Sequence, residues 1–121
     1  MREKEIAVVG VSKNEKKYGF KIFRDLLKAG FKVKGIHPKI TEVLGQRIYP
    51  NLKSLEAKPD LVITVVPPEV TEKIVEDCKD LDIKEIWMQP GSESEDAIKK
   101  ARDYGIKVIY NACFMVDNKI W

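Results

Sequence analysis

Short β-branched runs alternate with helical stripes along nearly the whole chain, and this alternation restricts the fold more than any other feature. Five apolar runs stand out: Glu5-Ile6-Ala7-Val8-Val9-Gly10, Phe31-Lys32-Val33-Lys34-Gly35-Ile36, Leu61-Val62-Ile63-Thr64-Val65-Val66, Glu85-Ile86-Trp87-Met88 and Lys107-Val108-Ile109-Tyr110. Near-continuous runs of this kind suit strands covered on both faces. Between the first two, Phe20, Phe23, Leu26 and Leu27 recur at helical spacing, and Gly30 follows as a C-terminal stop. Between the third and fourth, Val70, Ile74, Val75 and Cys78 form a second stripe after Pro67-Pro68. Proline costs nothing in a first helical turn, where its N–H would have no partner. A third stripe, Ala97, Ile98, Ala101 and Tyr104, follows a Ser92/Glu95 capping box and ends at Gly105. The connection from Pro38 to Asp60 is different, with a helix-like turn near Thr41–Leu44 and a brief extended piece at Arg47-Ile48-Tyr49. Right-handed crossovers then give an α/β, Rossmann-like doubly wound sheet. It is expected to be mainly parallel, with about five strands and helices on both faces.

A chain of 121 residues fits one domain, residues 1–121, without a separate catalytic unit. Its 44% apolar and 34% charged residues describe an ordinary globular protein. The start, Met1-Arg2-Glu3-Lys4-Glu5, carries no apolar signal core, and no run is long enough to span a bilayer. A cytoplasmic protein is expected, with no membrane contact. The net charge of +3 reflects 22 basic and 19 acidic residues. With no basic arm or nucleic-acid motif, it does not call for a nucleic-acid partner. Cys78 and Cys113 lack a metal-ligand spacing, so no metal site is expected.

In a doubly wound sheet, ligands sit beyond the carboxyl ends of the strands. The segments there are Gly10-Val11-Ser12-Lys13-Asn14, His37-Pro38-Lys39, Pro67-Pro68, Gln89-Pro90-Gly91 and Asn111-Ala112-Cys113. The first leads to Tyr18-Gly19 at a helix start, where free N–H groups and the helix dipole favour phosphate. Ser12 offers a hydroxyl, and Lys13, Lys16 and Lys17 add charge. The three-glycine dinucleotide fingerprint is broken and no Walker loop is present. Taken alone, this loop reads equally well as a solvated turn. After the second run, an NAD-binding domain would place an acid, but here His37-Pro38-Lys39 stands. A lysine favours a phosphorylated ribose, either the 3′-phosphate of coenzyme A or the 2′-phosphate of NADP.

These residues carry a resemblance. Val8-Val9-Gly10-Val11-Ser12 with Lys17-Tyr18-Gly19, Gly35-Ile36-His37-Pro38-Lys39 and Leu44-Gly45-Gln46-Arg47-Ile48-Tyr49-Pro50-Asn51-Leu52 come first. Asp60-Leu61-Val62-Ile63, Val66-Pro67-Pro68-Glu69 and Ile86-Trp87-Met88-Gln89-Pro90-Gly91 follow. In this order they resemble the stand-alone CoA-binding proteins, whose fold also forms the N-terminal domain of the succinyl-CoA synthetase α subunit. The resemblance implies that Gly10, Val11, Ser12, Lys13, Lys17, Tyr18 and Gly19 hold the pyrophosphate of coenzyme A. It sets His37, Pro38 and Lys39 along the adenosine and its 3′-phosphate. It sets Val66, Pro67 and Pro68 beside the adenine or the pantetheine path, and Met88, Gln89 and Pro90 near the thiol. The family often has Asp-Arg-Cys after the last strand; this chain has Asn111-Ala112-Cys113.

The residues do not assemble an acid–base pair. His37 is read as a binding or structural residue, Cys78 as core, and Cys113 as a small apolar residue or a thiol facing the ligand. Trp87 is expected in the core, while Trp121 suits docking onto a second copy or a partner subunit. The function expected is binding of coenzyme A or an acyl-CoA without catalysis. The rivals are an NADP-binding or CoA-dependent enzyme, and a regulatory subunit acting beside a partner chain.

Overall fold

The computed structural model describes residues 3–121; Met1 and Arg2, the expected first residues of the domain, lie outside the described residues. Strand β1 (Glu5–Val9) is central, with β2 (Lys32–Ile36) on one side and β5 (Leu61–Thr64) on the other, both parallel to it. Parallel strands β6 (Glu85–Met88) and β7 (Lys107–Ile109) extend the β5 side. Strand β4 (Gln46–Tyr49) extends the β2 side in parallel, and β3 (Glu42–Val43) closes that edge as its antiparallel partner. The order is β3-β4-β2-β1-β5-β6-β7, seven strands among the described residues rather than about five.

Period-two alternation divides the buried strand residues between two cores. Ile6 and Val8 of β1, with Leu61, Ile63 and Trp87, meet helix α1 (Tyr18–Lys28) and the short helix α4 (Phe114–Asp117) through Phe20, Ile22, Phe23, Leu26 and Phe114. Ala7, Val9, Val62, Ile86 and Met88 face the other way. They pack with Ile74, Val75 and Cys78 of α2 (Pro68–Asp80) and with Ala97, Ile98 and Ala101 of α3 (Glu95–Asp103). Both faces of the sheet are covered, as the continuous apolar runs require. Trp87 is core as expected: its ring meets Phe114 edge-on at 5.0 Å, and its indole N–H donates to the Ala112 carbonyl at 2.8 Å. Burial, seconded by the Asp77 charge, pushes the Cys78 thiol up to about 12, which makes it an inert core group.

Several local expectations change. The segment near Thr41–Leu44 is not a helical turn. Leu44 and Gly45 both take positive φ, 54° and 75°, as a two-residue hairpin between β3 and β4 requires. Leu44 is not a usual residue for that turn, so the sequence hid it. The third helix is capped by Ser94, whose Oγ accepts the Ala97 N–H at 3.0 Å, not by a Ser92/Glu95 box. Ser92 instead closes a turn on Gln89, its N–H donating to the Gln89 carbonyl at 2.9 Å, and this delays the helix by two residues. Val70 and Tyr104, read as buried, are 36% and 37% exposed; Thr71 takes the inward place on α2. Tyr104 leans out to donate its hydroxyl to Glu76 at 2.7 Å.

Candidate functional site

The chain leaves β1 for β2 on one side and later returns to β5 on the other. The crevice at the carboxyl end of β1 is therefore the place where the strand order reverses. Gly10 makes that crevice possible. It has φ +107°, and a Cβ there would overlap the Val65 carbonyl. Gly19, in the first turn of α1, lies against the Gly10 carbonyl with no room for a Cβ. The two glycines bring the helix start onto the strand end. Polar turns carry the chain between them: Asn14 N–H donates to Ser12 Oγ at 3.0 Å, and Lys16 N–H to Asn14 Oδ1 at 3.0 Å. The Ser12 hydroxyl keeps its own proton to donate.

Here a cleft of about 470 Å³ opens, lined by Gly10, Val11, Ser12, Lys16, Lys17, Tyr18, Gly19, His37, Val65, Val66 and Pro67. Its floor is the start of α1. Lys17 holds the N-cap position in an extended conformation with no side-chain cap, and no acid stands in the first turn. Unpaired N–H groups, the dipole and two lysines make this end a seat for an anion. His37 closes the β2 side. Its Nδ1 accepts the backbone N–H groups of Lys39 at 3.0 Å and Ile40 at 3.2 Å, which folds the loop around the imidazole. Burial, followed by the nearby Lys39 charge, holds its pKa below the ordinary value, consistent with a neutral ring that accepts at Nδ1.

A second cavity of about 330 Å³ adjoins the first, and Tyr18 and Val65 wall both. Ile22, Gln89, Pro90, Cys113, Val116 and Trp121 complete it. The Gln89 Oε1 accepts the Phe114 N–H at 2.7 Å and its Nε2 lies 3.3 Å from Cys113 Sγ, so the amide ties β6 to the start of α4. Trp121 tilts over Tyr18 with ring centroids 6.0 Å apart, and its indole N–H donates to Asp25 at 2.7 Å.

Of the residues singled out from sequence, Gly10, Val11, Ser12, Lys17, Tyr18, Gly19, His37, Val66 and Pro67 meet in the first cleft. Gln89 and Pro90 line the second cavity. Lys13, Pro38 and Lys39 are exposed beyond the walls of either, and Pro68 begins α2. The Met88 side chain turns into the core under α2 and α3 and is fully buried there. Lys16, read as added charge, lines the first cleft, and Cys113, read as a small apolar residue or a thiol facing the ligand, lines the second. Val65, Ile22, Val116 and Trp121 line these spaces without having been read as site residues. Ile22 was legible as the residue one helical turn after Tyr18. Val116 and Trp121 arrive only through the tertiary fold.

A family model described as a CoA binding domain matches residues 4–119. The ADP-forming acetate–CoA ligase of Methanocaldococcus jannaschii is 32% identical over 95% of this chain, which spans 18% of that ligase. The protein YneT of Bacillus subtilis is 27% identical, over 98% of this chain and 88% of its own length. Among solved structures, a conserved hypothetical protein from Pyrococcus furiosus superposes with a TM-score of 0.90 at 35% identity, over 94% of this chain and 98% of that one. The chain thus spans 16–27% of the length of the ligases and ligase subunits it matches, but 88% and 98% of two small proteins.

Proposed function

This chain belongs to the CoA-binding domain family, and from that premise we propose that it holds coenzyme A across the carboxyl ends of β1, β2 and β5. The observation that carries the reading is the open, basic start of α1, uncapped and free of acids, at the floor of the larger cleft. There the N–H groups of the first turn, Ser12, Lys16 and Lys17 receive the pyrophosphate, and Gly10 and Gly19 let it approach the backbone. The adenosine runs toward His37, where the loop after β2 presents Pro38 and Lys39 in place of the acid that would bind a free ribose. Lys39 is exposed to meet a 3′-phosphate, and the loop folded on His37 Nδ1 fixes its backbone. Pantetheine leaves past Tyr18 and Val65. The chain acts as a binding module and supplies position, charge and shelter.

Thermal unfolding with matched ligands tests this. Coenzyme A is expected to raise the unfolding temperature well above the value reached with dephospho-CoA, and Lys39→Ala to abolish the difference. Equal shifts with both ligands on the unaltered chain would remove the 3′-phosphate from the reading.

A further inference from the structure

The second cavity has a chemistry unlike the first. Among the described residues no charged side chain lines it, and its walls are Tyr18, Ile22, Val65, Pro90, Val116 and Trp121 with the Gln89 amide and the Cys113 thiol. Its polar atoms are largely engaged: Gln89 is tied to Phe114 and Cys113, and the Trp121 indole N–H to Asp25. Such a surface does little for the two amides of a pantetheine arm, which lose free energy if they leave water without partners. It suits a hydrocarbon tail. The mouth repeats the signal. Among the large apolar residues left in solvent, Tyr18 (65% exposed), Val116 (56%) and Trp121 (43%) gather at this one cavity. Exposed apolar groups clustered around a concavity mark a binding place.

We infer that this cavity receives the acyl chain of a short-chain acyl thioester of coenzyme A. The inference rests on the reading of the larger cleft as the coenzyme A seat. The occupant follows from continuity: Tyr18 and Val65 wall both spaces, so a pantetheine arm that passes them with its amides at the open mouth delivers an apolar end to the second. The volume of about 330 Å³ lies at the lower end of the range of roughly 300–1,000 Å³ usual for ligand pockets, which sets a short tail. The second N–H of Gln89 Nε2 is available to the thioester carbonyl at the cavity wall.

Isothermal titration with free, acetyl-, butyryl-, hexanoyl- and decanoyl-CoA tests the assignment. Each methylene that becomes buried tightens binding by about fourfold. Affinity therefore climbs from free to hexanoyl-CoA and levels off by decanoyl-CoA, where the tail outgrows the cavity. Val116→Asp, an exposed position on α4, brings the ratio of hexanoyl- to free-CoA affinity close to one, and Trp121→Ala lowers the same ratio. Equal affinity for all five ligands would overturn the inference and leave the coenzyme A reading standing. Failure of every ligand, free coenzyme A included, would remove both. If Val116→Asp dissociated a dimer seen by native mass spectrometry without altering the ratio, the patch would be a face for a second copy and the inference would fall.

Discussion

The first and third helices begin in opposite ways. At α3, Ser94 accepts the Ala97 N–H and Glu95 and Asp96 lie along the positive end of the dipole, so the chain completes that terminus itself. At α1 the cap position is Lys17, the first turn holds no acid, and Lys16 and Lys17 add like charge to a terminus already positive. A good cap there would stabilise the helix by roughly 1 kcal/mol. That stability is forgone at the one helix start seated on the central strand, where Gly19 meets Gly10. Helices α2 and α4 also lack a side-chain cap, but each carries an acid in its first turn, Glu69 and Asp117. Helix α1, with neither cap nor acid, is the terminus walled by the larger cleft, and the difference teaches where an external anion is wanted.

The sharpest way to break this comparison is to fill the contact that positions α1. Gly19→Ala places a Cβ against the Gly10 carbonyl, so backbone rather than a flexible side chain has to shift. A loss of roughly 2–3 kcal/mol in denaturant unfolding is expected, together with loss of coenzyme A binding. An unchanged midpoint would mean that α1 does not rest on the strand end. A milder test exchanges the properties of the two termini. Lys17→Asp gives α1 the finish of α3, so the ligand-free protein should gain about 0.5–1 kcal/mol. Its affinity for coenzyme A should fall by on the order of tenfold to a hundredfold. Ser94→Ala should do the reverse, costing about 1 kcal/mol of stability with affinity unaltered. A fall in affinity for Ser94→Ala would erase the distinction.

The smallest effect concerns His37. Its folded pKa lies below the ordinary 6.5 because of burial and then Lys39, so the unfolded chain binds the proton more readily. The stability linked to the neutral ring is complete above about pH 6.5 and drains away as pH falls through the window below it. Protonation also takes Nδ1 from the Lys39 and Ile40 N–H groups. Unfolding midpoints compared at pH 7.5 and 5.5 should drop more for the natural chain than for His37→Asn. Parallel curves would show that the ring carries no such linkage.

How much of the site was legible depends on the kind of signal each residue sends. Gly10, Lys17, Gly19 and His37 stand at strand ends and a helix start, and those ends follow from periodicity. Met88 shows where position alone misleads. It ends a strand, but period-two alternation from Trp87 turns its side chain to the opposite face, into the α2–α3 core. Alternation within the run already contained that answer. Nothing local foretold the Trp121–Tyr18 pair or the bond to Asp25, whose partners lie 96 residues apart. The β3–β4 hairpin was hidden for another reason: Leu44 adopts a left-handed conformation that the residue type does not announce.

By itself the sequence determined the alternation of strands and helices, the parallel sheet with two covered faces, and the lysines and glycines at the crevice. These are local properties, written in spacings of two and about 3.6 residues and in residues that start or stop an element. Only the tertiary structure decided that α4 folds back on α1, that Gln89 serves as its anchor, and that Val116 and Trp121 wall a second, apolar space beside the charged one. Those contacts join distant segments, and their partners are chosen by packing complementarity, which no single stretch of sequence carries.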